Sequence, residues 1–280
     1  MRPVPTAFHI GPLELHTYGI GLAIAFYVAW RFLVARVRDR GYPTDWLVGF
    51  GIWVVASALV GARLFHVLTH LSTYTAQPLQ VFAVWHGGLA SFGGLIFAVP
   101  VALWQAHRHC PEIGVLEGLD IAVPALAAGW AIGRLLGPQL MYQGGGHATT
   151  SWIGMYYAGQ MGKRIPVPII QAIEDGLLCV LLLVVEHRLN RIVSEHPGVV
   201  PPRGGLTAIA MFVWGIARAL DERLWLGEDG HLGSLLVQGA GVALAVGGVV
   251  IGIGALRAWL AYARLPASTG VADSAQLAGP

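Results

Sequence analysis

The amino-acid sequence predicts an α-helical integral membrane protein. Of its 280 residues, 55% are hydrophobic and 11% are charged, whereas a soluble globular domain carries about 25% charged residues. The mean hydropathy of +0.63 points the same way. Apolar stretches recur along most of the chain. The composition therefore excludes a soluble enzyme, a nucleic-acid-binding protein and a disordered tail protein.

Seven stretches have the length and apolar character of a spanning helix, which needs about 20 residues. They are Thr17–Val37, Trp46–Leu68, Gly88–Ala106, Val115–Leu136, Val167–Glu186, Gly204–Trp225 and Leu232–Tyr262. We therefore expect one seven-span membrane domain over residues 1–265 and a disordered cytoplasmic tail over residues 266–280. The segment Gln77–His86 contains Pro78 and is too short to cross, so we expect a helix half-buried along the outer interface.

The arginines predict the orientation, because basic residues concentrate in cytoplasmic loops. With seven spans and the N-terminus outside, the inner segments hold the larger basic set: Arg31, Arg36, Arg38, Arg40, Arg108, Arg188, Arg191, Arg203, Arg257 and Arg264. The outer segments hold the smaller set: Arg2, Lys163, Arg164 and Arg223. The sequence therefore predicts an outer N-terminus and a cytoplasmic C-terminus.

A few ionisable residues fall inside the predicted spans, where a charge costs about 2.5–3.5 kcal/mol at the bilayer centre. They are Arg63, Glu117, Asp120, Arg134, Glu174, Asp175, Arg218, Asp221 and Glu222. Under the predicted orientation, one subset lies in the outer halves of its helices: Arg63, Arg134, Arg218 and Glu222. Three arginines facing one cavity would suit an anionic phospholipid headgroup.

Two of these charges lie one helical turn apart on one face, Arg218 and Glu222. This spacing is typical of an intrahelical salt bridge, and it also suits a carboxylate that orients an arginine toward a phosphate. Arg134 lies beside Gly133 and Gly137, which let an anion approach closely. The alternative for Arg134 is snorkelling to the headgroups.

Glycine provides a second signal. The pairs Gly87-Gly88 and Gly93-Gly94 are six residues apart. They favour either a helix start wrapped around a ligand or close packing of helices. The stretch Leu136–Trp152 contains three consecutive glycines and several polar residues. We expect it to form an extracytoplasmic loop that dips back toward the site.

Polar residues also occupy the fifth span, at Gln171, Glu174 and Asp175. They either line the cavity or lock helices together by hydrogen bonds. Cys110 lies near two histidines, but a metal site needs more convergent ligands. We therefore expect no metal and no cofactor.

Six short motifs occur in order between about Leu15 and Gly248. They are His16-Thr-Tyr18-Gly19, Gly61-Ala62-Arg63, Trp85-His86-Gly87-Gly88-Leu89-Ala90-Ser91-Phe92-Gly93-Gly94, Asp120-Ile-Ala-Val-Pro124 with Gly133-Arg134, Gln171-Ala-Ile-Glu174, and Trp214-Gly215-Ile-Ala-Arg218 with Glu222. Their order and spacing resemble the phosphatidylglycerol–prolipoprotein diacylglyceryl transferases of bacterial inner membranes. Each motif alone is weak, and the ordered set is specific.

The resemblance implies transfer of a diacylglyceryl group from phosphatidylglycerol to a cysteine thiol of a lipoprotein precursor, with release of glycerol-1-phosphate. It implies that Arg134 and Arg218 handle the phosphate and that Glu222 is their acidic partner. The expected substrate-binding residues are Tyr18, Arg63, Gly87, Gly88, Gly93, Gly94, Gln139, Gln171, Glu174 and Trp214. The implied partners are phosphatidylglycerol, the precursor's signal peptide with its lipobox cysteine, and membrane lipids, with no nucleic acid. The implied location is the bacterial inner membrane, with the site toward the outer leaflet.

Several positions depart from the family pattern. Phe92 stands where the family usually has a histidine and sometimes a tyrosine. Trp214 stands where the family has a tyrosine, and Val167 where it has the histidine of a His-Pro pair. The asparagine expected after Arg134 is missing. A thiol nucleophile needs a proton acceptor, and the candidate catalytic histidines are His86 and His147. His86 lies six residues before Phe92, so its ring cannot take the place of a side chain at position 92. His147 lies in the predicted loop, from which its ring can reach the site more freely.

Two alternatives to the transferase remain open from the sequence. One is a diverged paralogue that binds an anionic phospholipid and modifies another acceptor. The other is a non-catalytic lipid-binding or transport protein.

Overall fold

A computed structural model describes residues 7–10, 13–69, 71–76, 78–82, 91–137, 144–196, 200–224 and 230–263. Within these ranges, helices account for most of the chain. In order, they are α1 (Thr17–Asp39), α2 (Leu47–Thr69), α3 (Leu71–Ala76), a 3₁₀-helix (Pro78–Phe82), α4 (Ser91–His109), α5 (Val115–Leu136), α6 (Val167–Glu195), α7 (Gly205–Asp221) and α8 (Gly230–Ala263). The predicted tail lies outside the described residues.

Five of the described helices are long and apolar enough to cross a membrane, namely α1, α2, α5, α6 and α8. This confirms the predicted α-helical membrane protein. The two remaining predicted spans correspond to α4 and α7. Helix α7 has 17 residues, which at 1.5 Å per residue is about 26 Å, slightly less than the bilayer core of about 30 Å.

Some helix ends differ from the predicted bounds. Helix α6 runs to Glu195 rather than Glu186, because hydropathy marks where lipid contact ends and not where hydrogen bonding ends. Helix α7 stops at Asp221, before the predicted end. There the amide N–H groups of Arg223 and Leu224 donate to the carbonyls of Leu220 and Asp221. These i to i+3 bonds tighten the chain into a turn and end the α-helix.

Large apolar side chains cover the outside of the described helices. Examples that are at least 60% exposed are Ile52 and Trp53 on α2, Leu177 on α6 and Val250 on α8. In water, a continuous apolar surface of this kind would be strongly unfavourable. Lipid tails are as apolar as these side chains, so the surface suits a bilayer.

The chain forms two compact units. The first contains the residues up to Arg31 and those from Leu119 onward. Its core lies where α5, α6 and α7 meet, and its buried members are Val123, Ala127, Leu178, Leu182, Leu206 and Ala210. Small residues bring α7 and α8 together, since a Cβ on Gly215 would lie 2.5 Å from the carbonyl oxygen of Gly241. This backbone contact requires glycine.

A buried carboxylate joins α5 to the start of α7. Asp120 is 6% exposed and accepts hydrogen bonds from the amides of Gly204 (2.6 Å) and Thr207 (2.7 Å) and from the Thr207 hydroxyl (2.6 Å). Gly204 has φ of 86°, a conformation that favours glycine. The first amides of a helix lack internal partners, so Asp120 caps α7 from a neighbouring helix.

The second unit, Phe32–Gly118, is built on the packing of α2 against α4. A Cβ on Gly93 would overlap the carbonyl oxygen of Gly61, and the reverse also holds. A Cβ on Gly94 would lie 3.3 Å from the carbonyl oxygen of Ala58, which is a tight contact, and 3.7 Å from the Cβ of Ala62. The structure therefore places Gly93 and Gly94 at a helix contact, which favours the packing interpretation of this pair.

Short strands complete the described structure. Strands β1 (Ala7–Ile10) and β2 (Leu13–His16) form an antiparallel hairpin just before α1. Strands β3 (Met155–Tyr156) and β4 (Lys163–Arg164) form a second hairpin between α5 and α6. The 3₁₀-helix lies within the segment Gln77–His86 that is predicted to follow the interface, and α3 precedes that segment. Gln77 and residues 83–86 are outside the described ranges.

Candidate active site

Charged side chains from α5, α6 and α7 meet inside the first unit. Arg134, in the last turn of α5, lies close enough to Asp175, Asp221 and Arg218 to interact electrostatically with all three. Arg134 and Arg218, which the sequence predicts at one site, therefore lie within electrostatic reach of each other, and a shared role in binding phosphate stays a prediction. Two guanidinium groups near each other repel, and an anion between them relieves that repulsion.

Asp175 holds the indole of Trp214. The Trp214 Nε1 donates a 2.6 Å hydrogen bond to Asp175 Oδ1, and Asp175 is 6% exposed. The Trp214 ring also lies 5.8 Å from the ring of Trp130, centroid to centroid. A charged acceptor shortens and strengthens such a bond. Trp214, on the helix turn before Arg218, is therefore fixed in one orientation.

The second buried carboxylate of the cluster belongs to Asp221. Gln171 Nε2 donates to Asp221 Oδ2 at 2.8 Å, and both residues are 4% exposed. The carboxyl group of Glu174 lies close enough to Asp221 and Asp175 to interact electrostatically with both. Gln171 Oε1 is buried and has no hydrogen-bond partner within the described part of the chain. It remains available as an acceptor for a donor that enters the site.

Arg218 and Glu222 form the predicted i, i+4 pair. Their Nη2 and Oε2 atoms are 3.4 Å apart, which is a loose contact. The Arg218 side chain is 41% exposed and that of Glu222 is 11% exposed. The carboxylate therefore holds the guanidinium from one side while the other side remains open to an anion.

Arg63 belongs to the second unit and is 7% exposed. Its Nε donates to the carbonyl oxygen of Val81 at 2.9 Å, and its Nη2 donates to that of Gln80. The guanidinium also lies 5.2 Å from the centre of the Tyr74 ring. Arg63 thus holds the interfacial segment against α2, and a role in binding substrate stays a prediction.

His147 is exposed, and it lies next to the residues that follow the C-terminal end of α7. Its amide N–H donates to the carbonyl of Leu224 at 3.1 Å. Its ring Nε2 lies 3.1 Å from the carbonyl oxygen of Arg223. Because a carbonyl only accepts, this contact requires the proton on Nε2 and leaves Nδ1 as the basic nitrogen. The structure brings this ring close to the chain segment that carries Glu222.

The chain matches the model of the prolipoprotein diacylglyceryl transferase family over residues 5–260. It belongs to that family. Similar family members named phosphatidylglycerol–prolipoprotein diacylglyceryl transferase occur in Verminephrobacter eiseniae, at 31% identity over 93% of this chain and 96% of the relative, and in Pseudomonas fluorescens, at 29% over 94% and 95%. One from Aeromonas hydrophila is 27% identical over 93% and 91%. The predicted resemblance is confirmed.

Several expected site residues of this diacylglyceryl transferase family member cannot be placed. His86, Gly87, Gly88 and Gln139 lie outside the described residues, as does the side chain of Tyr18. Within the described ranges, no group of three His, Cys, Asp or Glu side chains is arranged to hold a metal ion. The described site consists of arginine, carboxylate, amide and indole groups.

The sequence left Asp175 between lining the cavity and joining helices by hydrogen bonds, and it assigned no role to Asp221. The structure places both carboxylates in the cluster. Each follows or precedes a glutamate, in Glu174-Asp175 and Asp221-Glu222. Consecutive residues on a helix point about 100° apart. Such pairs therefore place acidic groups on two adjoining faces. Adjacent acids in apolar spans were the signal that could have found them.

Proposed function

We propose that this protein transfers the diacylglyceryl group of phosphatidylglycerol to the cysteine thiol of a lipoprotein precursor. Membership of the prolipoprotein diacylglyceryl transferase family over residues 5–260 carries this conclusion. The placement of Arg134 and Arg218 in one cluster adds a physical reason. A guanidinium group donates two parallel N–H hydrogen bonds to phosphate oxygens, which is bidentate binding.

The reaction exchanges the C–O bond that joins the diacylglyceryl group to phosphate for a C–S bond to the cysteine. The thiolate sulfur attacks the carbon that bears the phosphate, so an S–C bond forms and the C–O bond breaks. Glycerol-1-phosphate leaves with the electron pair of the broken bond, and the thiol proton passes to a base. Arg134 and Arg218 stabilise the charge that grows on the departing phosphate, which is how preorganised donors lower a barrier.

Glu222, Asp175 and Asp221 keep this site close to electrical balance before substrate arrives. Two half-buried arginines side by side would repel each other without counter-charges. Glu222 contacts Arg218 loosely at 3.4 Å, so the arginine can turn to the phosphate without losing its carboxylate partner. The indole of Trp214, held by Asp175, limits where the ligand can lie.

His147 is our proposed proton acceptor for the thiol. The contact with the Arg223 carbonyl orients the ring and leaves Nδ1 basic. Histidine is suited to this task because a neutral imidazole ring offers one unprotonated nitrogen that accepts a proton. A lowered rate in His147→Ala with partial recovery in alkaline buffer supports this role. An unchanged rate and pH profile contradict it.

The protein crosses the bacterial inner membrane seven times, with the N-terminus outside and the C-terminus in the cytoplasm. Five apolar helices, together with α4 and α7, supply the spans. The distribution of arginines between the predicted loops supports the orientation. The site then faces the outer leaflet. Labelling of single cysteines by a membrane-impermeant thiol reagent in intact cells tests both statements.

Complementation of a transferase-depleted strain, with mass spectrometry of a model lipoprotein, tests the activity. We expect the intact chain to yield the diacylglyceryl adduct and Arg218→Ala to lose most of it. Arg191→Ala is a matched control, because Arg191 also pairs with an i+4 glutamate, at 2.8 Å, but on the exposed end of α6. We expect this variant to keep full transfer.

Two results would redirect the proposal. Absence of any adduct from a folded, membrane-inserted chain contradicts transfer to a lipoprotein. If that chain still binds phosphatidylglycerol vesicles, a paralogue acting on another acceptor, or a non-catalytic lipid-binding protein, takes its place. Lipid flux in proteoliposomes identifies a transporter.

A further inference from the structure

The connection between α5 and α6 carries apolar side chains outside the apolar helices. We call residues 144–166 the hairpin segment, since strands β3 and β4 lie within it. Trp152 is 90% exposed and Met161 is 88% exposed. Ile153 and Tyr156 are also exposed. Exposed apolar side chains grouped on one segment, unlike single scattered ones, are typical of a site that contacts a protein or a membrane.

The segment has a defined frame beneath those side chains. The Gln160 side chain accepts from the amide of Gly145 at 2.9 Å and donates to its carbonyl at 3.0 Å. Thr149 N–H donates to the Lys163 carbonyl at 2.9 Å. Tyr157 is buried, at 3% exposed. Trp152 and Met161 therefore project from an ordered support.

The charge of the segment has one sign. Residues 144–166 contain no Asp or Glu, and they include Lys163, the sole lysine of the chain, followed by Arg164. Arg164 Nε donates to the carbonyl oxygen of Met161 at 3.1 Å, so a cation lies beside an exposed apolar side chain. Among the described residues, neither cation forms a salt bridge with a carboxylate.

The segment is also tied to the candidate active site. The amide of His147 donates to the carbonyl of Leu224, two residues beyond Glu222. A Cβ on Gly146 would lie 2.7 Å from a methyl carbon of Val167, in the first turn of α6. The hairpin segment is therefore fixed against the same helix ends that carry the phosphate-binding cluster.

We propose that the hairpin segment binds the surface of a bilayer rich in anionic phospholipid. Trp152 and Met161 enter the headgroup region, and Lys163 and Arg164 contact lipid phosphates. Tryptophan suits this depth because its ring is apolar and its N–H is polar. Placing this surface on the outer leaflet rests on the proposed function. Contact there would gather anionic lipid beside Arg134 and Arg218.

Charge complementarity favours lipid over the other occupants. A bilayer that contains phosphatidylglycerol offers both apolar depth and negative charge, which are the two properties that the segment can match. Each cation near such a surface adds about 1 kcal/mol of attraction, or roughly a fivefold change in the bound-to-free ratio. A signal peptide or a second copy of this chain offers no comparable density of negative charge.

The sole lysine makes the proposal testable on the unaltered protein. The full chain is placed in lipid nanodiscs of phosphatidylcholine alone or of phosphatidylcholine mixed with phosphatidylglycerol. Lys163 is then modified with a water-soluble amine reagent, and the modified peptide is quantified by mass spectrometry. We expect modification to be about fivefold slower in the anionic discs, and high salt to remove most of this difference. This measurement needs no transfer activity, so its result is independent of the proposed function.

Two variants sharpen the test. Arg164→Gln and Trp152→Ala should each weaken the protection of Lys163, while Arg191→Gln, on the exposed end of α6, should leave it unchanged. Equal modification in both kinds of disc overturns the proposal. Protection that arises only on addition of a lipobox signal peptide, or only in discs that hold two copies of the chain, also overturns it.

Discussion

The indole of Trp214 donates a 2.6 Å hydrogen bond to Asp175, across the contact between α7 and α6. Trp214 precedes Arg218 by one helical turn, and Asp175 lies within electrostatic reach of Arg134. This bond therefore joins α6 to α7 within the cluster that contains Arg134 and Arg218. The sequence resemblance expects a tyrosine at position 214. Like the tyrosine, the tryptophan supplies an aromatic ring with a polar hydrogen.

Trp214→Phe should lower both stability and transfer. Phenylalanine keeps an aromatic ring near Trp130 but leaves the buried Asp175 without its donor, which costs about 1–3 kcal/mol. Thermal unfolding of the purified protein and the transfer rate on a model lipoprotein measure the two effects. Trp130→Phe is the matched control, since the Trp130 indole forms no hydrogen bond to any of the described residues, whereas its ring packs against Trp214. Equal effects of the two variants would show that ring packing alone matters.

Sequence patterns predict the helices and the local pairs of this cluster, but not its contacts between helices. Hydropathy identifies long helices because a span is a local property of consecutive residues. The Arg218–Glu222 pair is likewise local, since residues four apart share a face. The Asp175–Trp214 bond joins residues far apart in the chain, and no local pattern encodes it.

Arg63 illustrates a second limit of the sequence. Its charge within a span predicts a ligand site, but its described acceptors are the backbone carbonyls of Gln80 and Val81. Every residue has a carbonyl, so such partners leave no signature in the sequence. The order of the motifs compensates in part, because it identifies the family even where single residues differ.

Asp120→Ala should destabilise the first unit markedly. The variant removes the acceptor for two amides and one hydroxyl at the start of α7, and loss of a helix cap alone costs about 0.5–2 kcal/mol. Because these groups are buried, we expect a loss near or above the top of that range. Thr207→Val removes only the hydroxyl donor and should cost less. Chemical unfolding in mild detergent gives both values, and equal losses would contradict the capping role.

Gly93→Ala should separate α2 from α4. The added Cβ would overlap the carbonyl oxygen of Gly61, and backbone in a helix cannot shift as a flexible side chain can. Gly49→Ala is the control, because a Cβ at Gly49 meets nothing within 4 Å and alanine favours helix over glycine by up to about 1 kcal/mol. Melting temperature should fall in the first variant and hold or rise in the second. A stable Gly93→Ala protein would mean that the helices do not approach as closely as described.

Tyr157 should make stability depend on alkaline pH. Burial raises the pKa of its hydroxyl from 10.0 to about 12, because an apolar setting disfavours the phenolate. The folded chain then holds this proton more tightly than the unfolded chain does. The resulting stabilisation is complete below pH 10 and is lost as the pH rises toward about 12. A two-unit difference corresponds to about 2–3 kcal/mol.

Tyr157→Phe isolates this contribution. The Tyr157 hydroxyl is buried and has no hydrogen-bond partner among the described residues, so the variant should be as stable as the parent at pH 8 or slightly more stable. Between pH 10 and 12 the parent should lose stability faster than the variant, since phenylalanine has no proton to release. Unfolding free energies of both proteins across this range give the comparison. Parallel curves would show that Tyr157 reaches water, and a variant that is weaker at pH 8 would show that its hydroxyl is hydrogen-bonded.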